Sequence, residues 1–134
     1  MTCAAHAILA GAVGAIARSR SRAFLAGVGT HLLADLVPHR DFGPAVELVM
    51  VAAALAAVGR VAGFDSPAFA GSVGGAAPDL ENGLDALGMA QCPCFPTHRH
   101  LHGRRVREVW SQIAVSCAAF GVILWRGRQG KHPR

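Results

Sequence analysis

Pro44-Ala-Val-Glu-Leu-Val-Met-Val-Ala-Ala-Ala-Leu-Ala-Ala-Val-Gly-Arg-Val61 is the stretch that decides the fold of this chain. Rich in alanine, valine and leucine, it reads as an apolar helix close to the ~20 residues that cross a bilayer core. A soluble domain must cover a large surface with polar groups, and this chain lacks the supply. Hydrophobic residues make up 52% of it and charged ones 16%, against about a quarter charged in ordinary soluble domains. The exterior is therefore expected to face lipid. At 134 residues the chain makes one domain.

Working outward, four more helical segments are expected. One runs from about Ala4 to Ala17 and one from about Ala23 to Val37, closed by Pro38, which disfavours a helical residue before it. Phe64-Asp-Ser-Pro67 is a start signal, with Ser66 as cap and Pro67 at the first helical position, for a short glycine-rich helix to about Ala77. A looser region spans Pro78 to Gly103. The last helix covers about Arg105 to Trp125, with Trp110 and Trp125 near its ends like interface anchors. The expected fold is an all-α, multi-spanning membrane bundle of four to five short helices over residues 1–125, with a basic tail at 126–134. Small residues at steps of four, Ala7-Gly11-Ala15 and Ala52-Ala56, would let helix backbones approach closely.

Thirteen basic residues against eight acids give a net charge of +5. The arginines sit between apolar runs and no aromatic residues interleave with them, so nucleic-acid binding is not expected. Arg18, Arg20 and Arg22 follow the first apolar run instead of preceding it, which suits a retained helix and not a cleaved signal. With those arginines inside, the His39-Arg40-Asp41 loop and the Pro78–Arg105 region fall outside, and Arg60 and the tail inside. Arg99, Arg104, Arg105 and Arg107 then run against the positive-inside rule. Cys92-Pro-Cys94 has one intervening residue, not the two of a redox or zinc motif, and Cys3 and Cys117 are expected to pack in apolar runs.

The chemistry lies in histidines and acids set four apart. His31 and Asp35 occur one turn apart in an apolar helix, with His39 just beyond Pro38. An uncompensated buried carboxylate would cost several kcal/mol or more, and a divalent cation is the natural partner. Imidazole with carboxylate suits zinc or manganese. The same pair also fits a plain hydrogen bond within a helix interface. Asp79, after Pro78, reads as a ligand or as a helix cap; Glu81 reads as a ligand, a general base or a solvated acid. His98 and His102 repeat the one-turn spacing, and His100 between them points elsewhere. Arg99 beside them would grip an anion in two-pronged fashion. His6 stands alone on the first helix and reads as a packed interface group.

The order HLLADLVPHRDF, GAAPDLENGL, HRHLHG resembles a group of small bacterial integral-membrane proteins and their relatives, the inner-membrane metal-dependent hydrolases. The resemblance covers roughly residues 1–105. It implies a polar site of His31, Asp35, His39, Asp79, His98 and His102 that binds one or two divalent metal ions. Asp79 or Glu81 would accept a proton from water, and Arg99 would steady the anion. The chain departs from the pattern with Glu81 in place of a second aspartate and Gly103 after the last histidine. The implied activity is hydrolysis of an amphiphilic ester, most readily a phosphoester, in the bacterial inner membrane. The partners would be the lipid bilayer and an anionic or amphiphilic small substrate. The rival readings are a non-enzymatic metal-binding or ion-handling membrane protein, a purely structural bundle, and a soluble basic domain.

Overall fold

The computed structural model describes residues 1–37, 39–86, 88 and 109–130. They form five helices: α1 Cys3–Gly14, α2 Arg20–Ala34, α3 Pro44–Ala62, α4 Pro67–Ala86 and α5 Trp110–Gly130. No strand occurs among the described residues, so the chain is all-α as expected. Cys92 and Cys94 lie outside the described residues.

Local signals set most boundaries. Thr2 caps α1 by accepting from Ala5 N at 3.2 Å. Ser19 caps α2 by accepting from Arg22 N at 3.4 Å, which starts that helix at Arg20, three residues before its first apolar residue. At the other end α2 closes at Ala34, and the bonds Leu36 N to Leu33 O and Val37 N to Ala34 O tighten its final turn. Pro44 opens α3, with Glu47 in its first turn, and Gly63 ends it at φ +93°, a backbone state that suits glycine. Ser66 caps α4 as expected, accepting from Phe69 N at 3.1 Å. That helix does not stop at Ala77; it carries Pro78 inside it and continues to Ala86. A proline removes one backbone donor and crowds the carbonyl four residues back. Here that carbonyl belongs to Gly74, where no side chain adds to the crowding. The last helix runs on through Arg126 and Arg128 to Gly130, so the first part of the basic tail is helical.

Helices α1, α2 and α4 form the centre, and glycine lets their backbones meet. A Cβ on Gly71 would lie 2.6 Å from Ala10 O, and one on Gly75 would lie 2.7 Å from His6 O. The α1 ladder thus faces α4, with Ala7 and Gly11 buried. The Ala52–Ala56 ladder does not pack in this way. Ala52 is exposed, and Val51, Ala54 and Val58 turn inward instead, because the 3.6-residue period selects that stripe. Cys3 is buried, but Cys117 faces outward from α5.

One end of the bundle is tied by hydrogen bonds. Gln112 of α5 accepts from Thr2 N at 2.8 Å and donates to Arg40 O at 3.0 Å. Glu47 of α3 accepts from Cys3 N at 2.8 Å and Phe42 N at 2.9 Å. A carboxylate there also complements the positive end of the α1 dipole. The opposite end gathers the C-termini of α1, α3 and α5 with the N-termini of α2 and α4, joined by Arg20 and Asp65 at 3.1 Å.

Large apolar side chains remain uncovered, among them Leu25, Leu33, Leu48, Val49, Trp110 and Trp125. Among the described residues one helix, α3, is long and apolar enough to cross a membrane. Its mean hydropathy is 1.9, and 22% of that window is buried within the protein.

Candidate metal centre

The tied end holds the polar site. His6 comes from the first turn of α1, His31 from the last turn of α2, Asp35 from the cap that follows, and Asp79 from the turn after Pro78 in α4. His6 and His31 have no exposed surface and Asp35 is 2% exposed, which leaves Asp79 as the member nearest solvent.

One ligand atom each from His6, His31 and Asp79 lies within 4.8 Å of the others, so this group could hold a metal ion. Asp35 stands against both rings, its Oδ1 2.9 Å from His6 Nε2 and its Oδ2 3.2 Å from His31 Nε2. His31 Nε2 lies 3.9 Å from Asp79 Oδ1. The carboxylate and imidazole of α2 are thus on one face, as their i, i+4 spacing demands.

The tautomer of His31 follows from a backbone contact. Its Nδ1 lies 2.7 Å from Gly75 O, and only an N–H can approach a carbonyl oxygen so closely. Nδ1 therefore carries the proton, and in the neutral ring the Nε2 lone pair faces Asp35 and Asp79. A lone pair aimed at carboxylates is repulsive unless a proton or a cation lies between them. A carbonyl on one ring nitrogen with the other turned to a cluster of donors is the arrangement of metal-binding histidines.

His6 adds a second sign. Its Nε2 meets Asp35 at hydrogen-bond distance but out of alignment, and both of its ring nitrogens are buried without an aligned hydrogen-bond partner. A buried nitrogen with no polar contact, such as Nδ1, costs about 1–3 kcal/mol. Its ring stacks on that of His31 with centroids 3.9 Å apart and planes at 29°. Two imidazolium ions could not stack at that distance in a buried site without strong repulsion, so the two rings are not both charged. A neutral, lone-pair-bearing pair is the form that binds metal.

His39 is also buried, at 1% exposed. It sits apart from the three-residue group: its Nδ1 donates to Val37 O at 2.7 Å and its Nε2 lies 3.3 Å from Asp41 Oδ1. Asp41 and Asp35 both approach the Met1 amine, at 4.0 and 3.6 Å. Burial lowers the pKa of that amine from 8.0, against the opposite pull of Asp35, Asp41 and Asp79. Glu81 is half-buried, and an i+2 step on a helix turns it to a different side of α4 from Asp79. His98, Arg99 and His102 lie outside the described residues.

Of the sequence candidates, the structure thus brings His31, Asp35 and Asp79 together. It adds His6, which spacing alone could not find because no second histidine or acid sits one turn away on α1. The available signal was its solitude: His6 is the one ionisable side chain other than Cys3 between Met1 and Ala17. No known protein family, curated protein or solved structure matches this chain, so the site rests on its own geometry.

Proposed function

We propose that this chain is a membrane-inserted, metal-dependent hydrolase of an amphiphilic ester, most readily a phosphoester, with its centre at His6, His31, Asp35 and Asp79. The observation that carries the reading is the buried His6–His31 pair, with His31 Nδ1 held by Gly75 O and its Nε2 turned toward two carboxylates. Three protein ligands, two imidazoles and one carboxylate, are the set used by catalytic zinc centres, which keep one position for water or substrate. Zinc or manganese fits these donors. When bound, such an ion lowers the pKa of a coordinated water to about 7 and polarises the scissile group.

The chain's own residues supply the rest. Gly75 O holds the His31 ring in place. Asp35, between the two rings, balances the positive charge of an ion held there. Asp79, with 19% of its side chain exposed, is the group that meets an entering substrate and accepts a proton from water. Membrane insertion is supported by the apolar composition, by α3, and by the uncovered leucine, valine and tryptophan side chains of α2, α3 and α5. The remaining helices then cross as partners of α3, covered by one another and by lipid. The resemblance in the order of motifs points to the bacterial inner membrane and to the same class of activity.

A second reading is favoured by the near-complete burial of His6, His31 and Asp35. A site closed to water would make the chain a metal-holding membrane module with no hydrolytic step. One experiment separates the two: metal content and phosphodiesterase activity of the detergent-purified chain, wild type beside His31→Ala and Asp79→Asn. The hydrolase reading expects about one equivalent of zinc or manganese in the wild type, its loss in His31→Ala, and activity reduced in Asp79→Asn more than metal content. Metal without activity would favour the module. Equal metal in wild type and His31→Ala would end both.

A further inference from the structure

The end of the bundle opposite the metal centre carries a groove that none of this chemistry uses. It lies between the α3–α4 turn and the last turns of α5, encloses about 490 Å³, and is lined by Ala15, Val61, Ala62, Pro67, Ala68 and Ile123. Two arginines, Arg60 and Arg126, also line it. Both are exposed, and among the described residues neither forms an ion pair. The acid nearest in sequence, Asp65, is engaged by Arg20 at 3.1 Å. Arg126 lies over the Trp125 ring at 5.2 Å, which holds its guanidinium at the bundle edge. Gly63 and Ser66, at the α3–α4 turn, and Gly127, on α5, complete the lining.

The groove is therefore amphiphilic. Its floor is apolar, with Ile123 fully buried against Val58 and Ala68, and two guanidiniums without an ion pair among the described residues stand at its margin. The surface leading from it along α5 keeps Val122 and Trp125 exposed, so an attached acyl chain would meet apolar side chains. Arg18, Arg22 and Arg128 belong to the same end and add to its positive potential.

We infer that this groove binds the phosphate headgroup of an anionic phospholipid, with Arg60 and Arg126 as its clamp and the acyl chains along α5. Guanidinium and phosphate match in charge and in two-pronged geometry, and a basic end facing the anionic lipid surface agrees with the positive-inside rule. The inference rests on the membrane-inserted reading but not on the metal or the hydrolysis.

The test uses the full chain in lipid nanodiscs of phosphatidylcholine, alone or with phosphatidylglycerol mixed in. Thermal unfolding is followed for wild type, Arg60→Gln/Arg126→Gln, and a control, Arg18→Gln/Arg22→Gln, that removes equal charge outside the groove. Phosphatidylglycerol is expected to raise the melting temperature of the wild type and of the control. The groove variant is expected to need about tenfold more of it for the same rise. Equal loss in groove variant and control would replace the site with diffuse charge attraction and overturn the inference. So would the absence of any response to phosphatidylglycerol in the wild type, or the same stabilisation by free glycerol phosphate in phosphatidylcholine discs. Alkaline carbonate extraction of cell membranes separates the two levels. A chain that washes off loses the membrane reading and this inference together, whereas a chain that resists extraction but ignores phosphatidylglycerol loses the inference alone.

Discussion

Replacing Gly75 by alanine adds one methyl group at the point where three helices meet. That methyl would stand 2.7 Å from His6 O and also collide with Ala10 Cβ, so α1 and α4 must part by about 0.5–1 Å. Overpacking of this kind costs about 1–3 kcal/mol, and the upper end applies because the neighbours are backbone. The movement also stretches the 2.7 Å bond from His31 Nδ1 to Gly75 O, worth about 1 kcal/mol. Alanine returns about 1 kcal/mol of helix propensity. The net loss is about 3 kcal/mol, or a fall of roughly 10 °C in melting temperature for a domain of this size. The assay is thermal unfolding in detergent, with bound metal measured on the same samples. Gly121→Ala is the control: Gly121 is exposed with no described atom within 4 Å of the added carbon, and it is expected to gain about 0.5–1 kcal/mol. If Gly75→Ala melts like the wild type and keeps its metal, the close packing of α1, α2 and α4 around the site is wrong.

Asp35→Asn removes the charge between the two rings while keeping their volume, and metal affinity is expected to fall at least about tenfold with helicity unchanged, as read by competition with a chelating dye. Metal retention in the wild type is expected to fall on acidification, because protons compete with the ion for the imidazole lone pairs, and a pH series by atomic absorption checks it. Glu47→Ala is expected to cost about 1.5–3 kcal/mol through two lost charge-assisted bonds, to Cys3 N and Phe42 N, and Glu47→Gln less, in the same unfolding assay. Ala53→Asp, at the middle of α3 and exposed there, is expected to cost about 2.5–3.5 kcal/mol if α3 lies in lipid and to strip the protein from the membrane fraction. Full recovery of that variant in membranes would count against the inserted reading.

Punctuation residues made most of the fold legible. Ser66-Pro67 gave the start of α4, and the apolar run from Pro44 gave α3 nearly to the residue. Pro78 misled, because a proline usually ends a helix; here the residue four back is glycine and the helix runs on. Three of the four site residues were visible, His31 and Asp35 because i, i+4 pairing is a property of the one helix they share, and Asp79 as an acid beside Pro78. The place of His6 depends on which helices touch, a relation between Gly75, His6 and His31 that no single segment encodes. The fourth segment read only as glycine-rich, whereas in the structure its Gly71, Gly74 and Gly75 are the points where α1 and α2 backbones come closest.

The two ends of this bundle are fastened unequally. Around the start of α1, Gln112 and Glu47 bind four backbone groups from two separate segments, residues 2–3 and 40–42. At the far end the described tether is Arg20 with Asp65, both largely in solvent, and such a link contributes little. Thermal breathing should therefore be lopsided, with the helices fanning apart near Arg60 while the end around His6 and His31 stays shut. Amide exchange would register this as a gradient along every helix, fastest where the arginines gather.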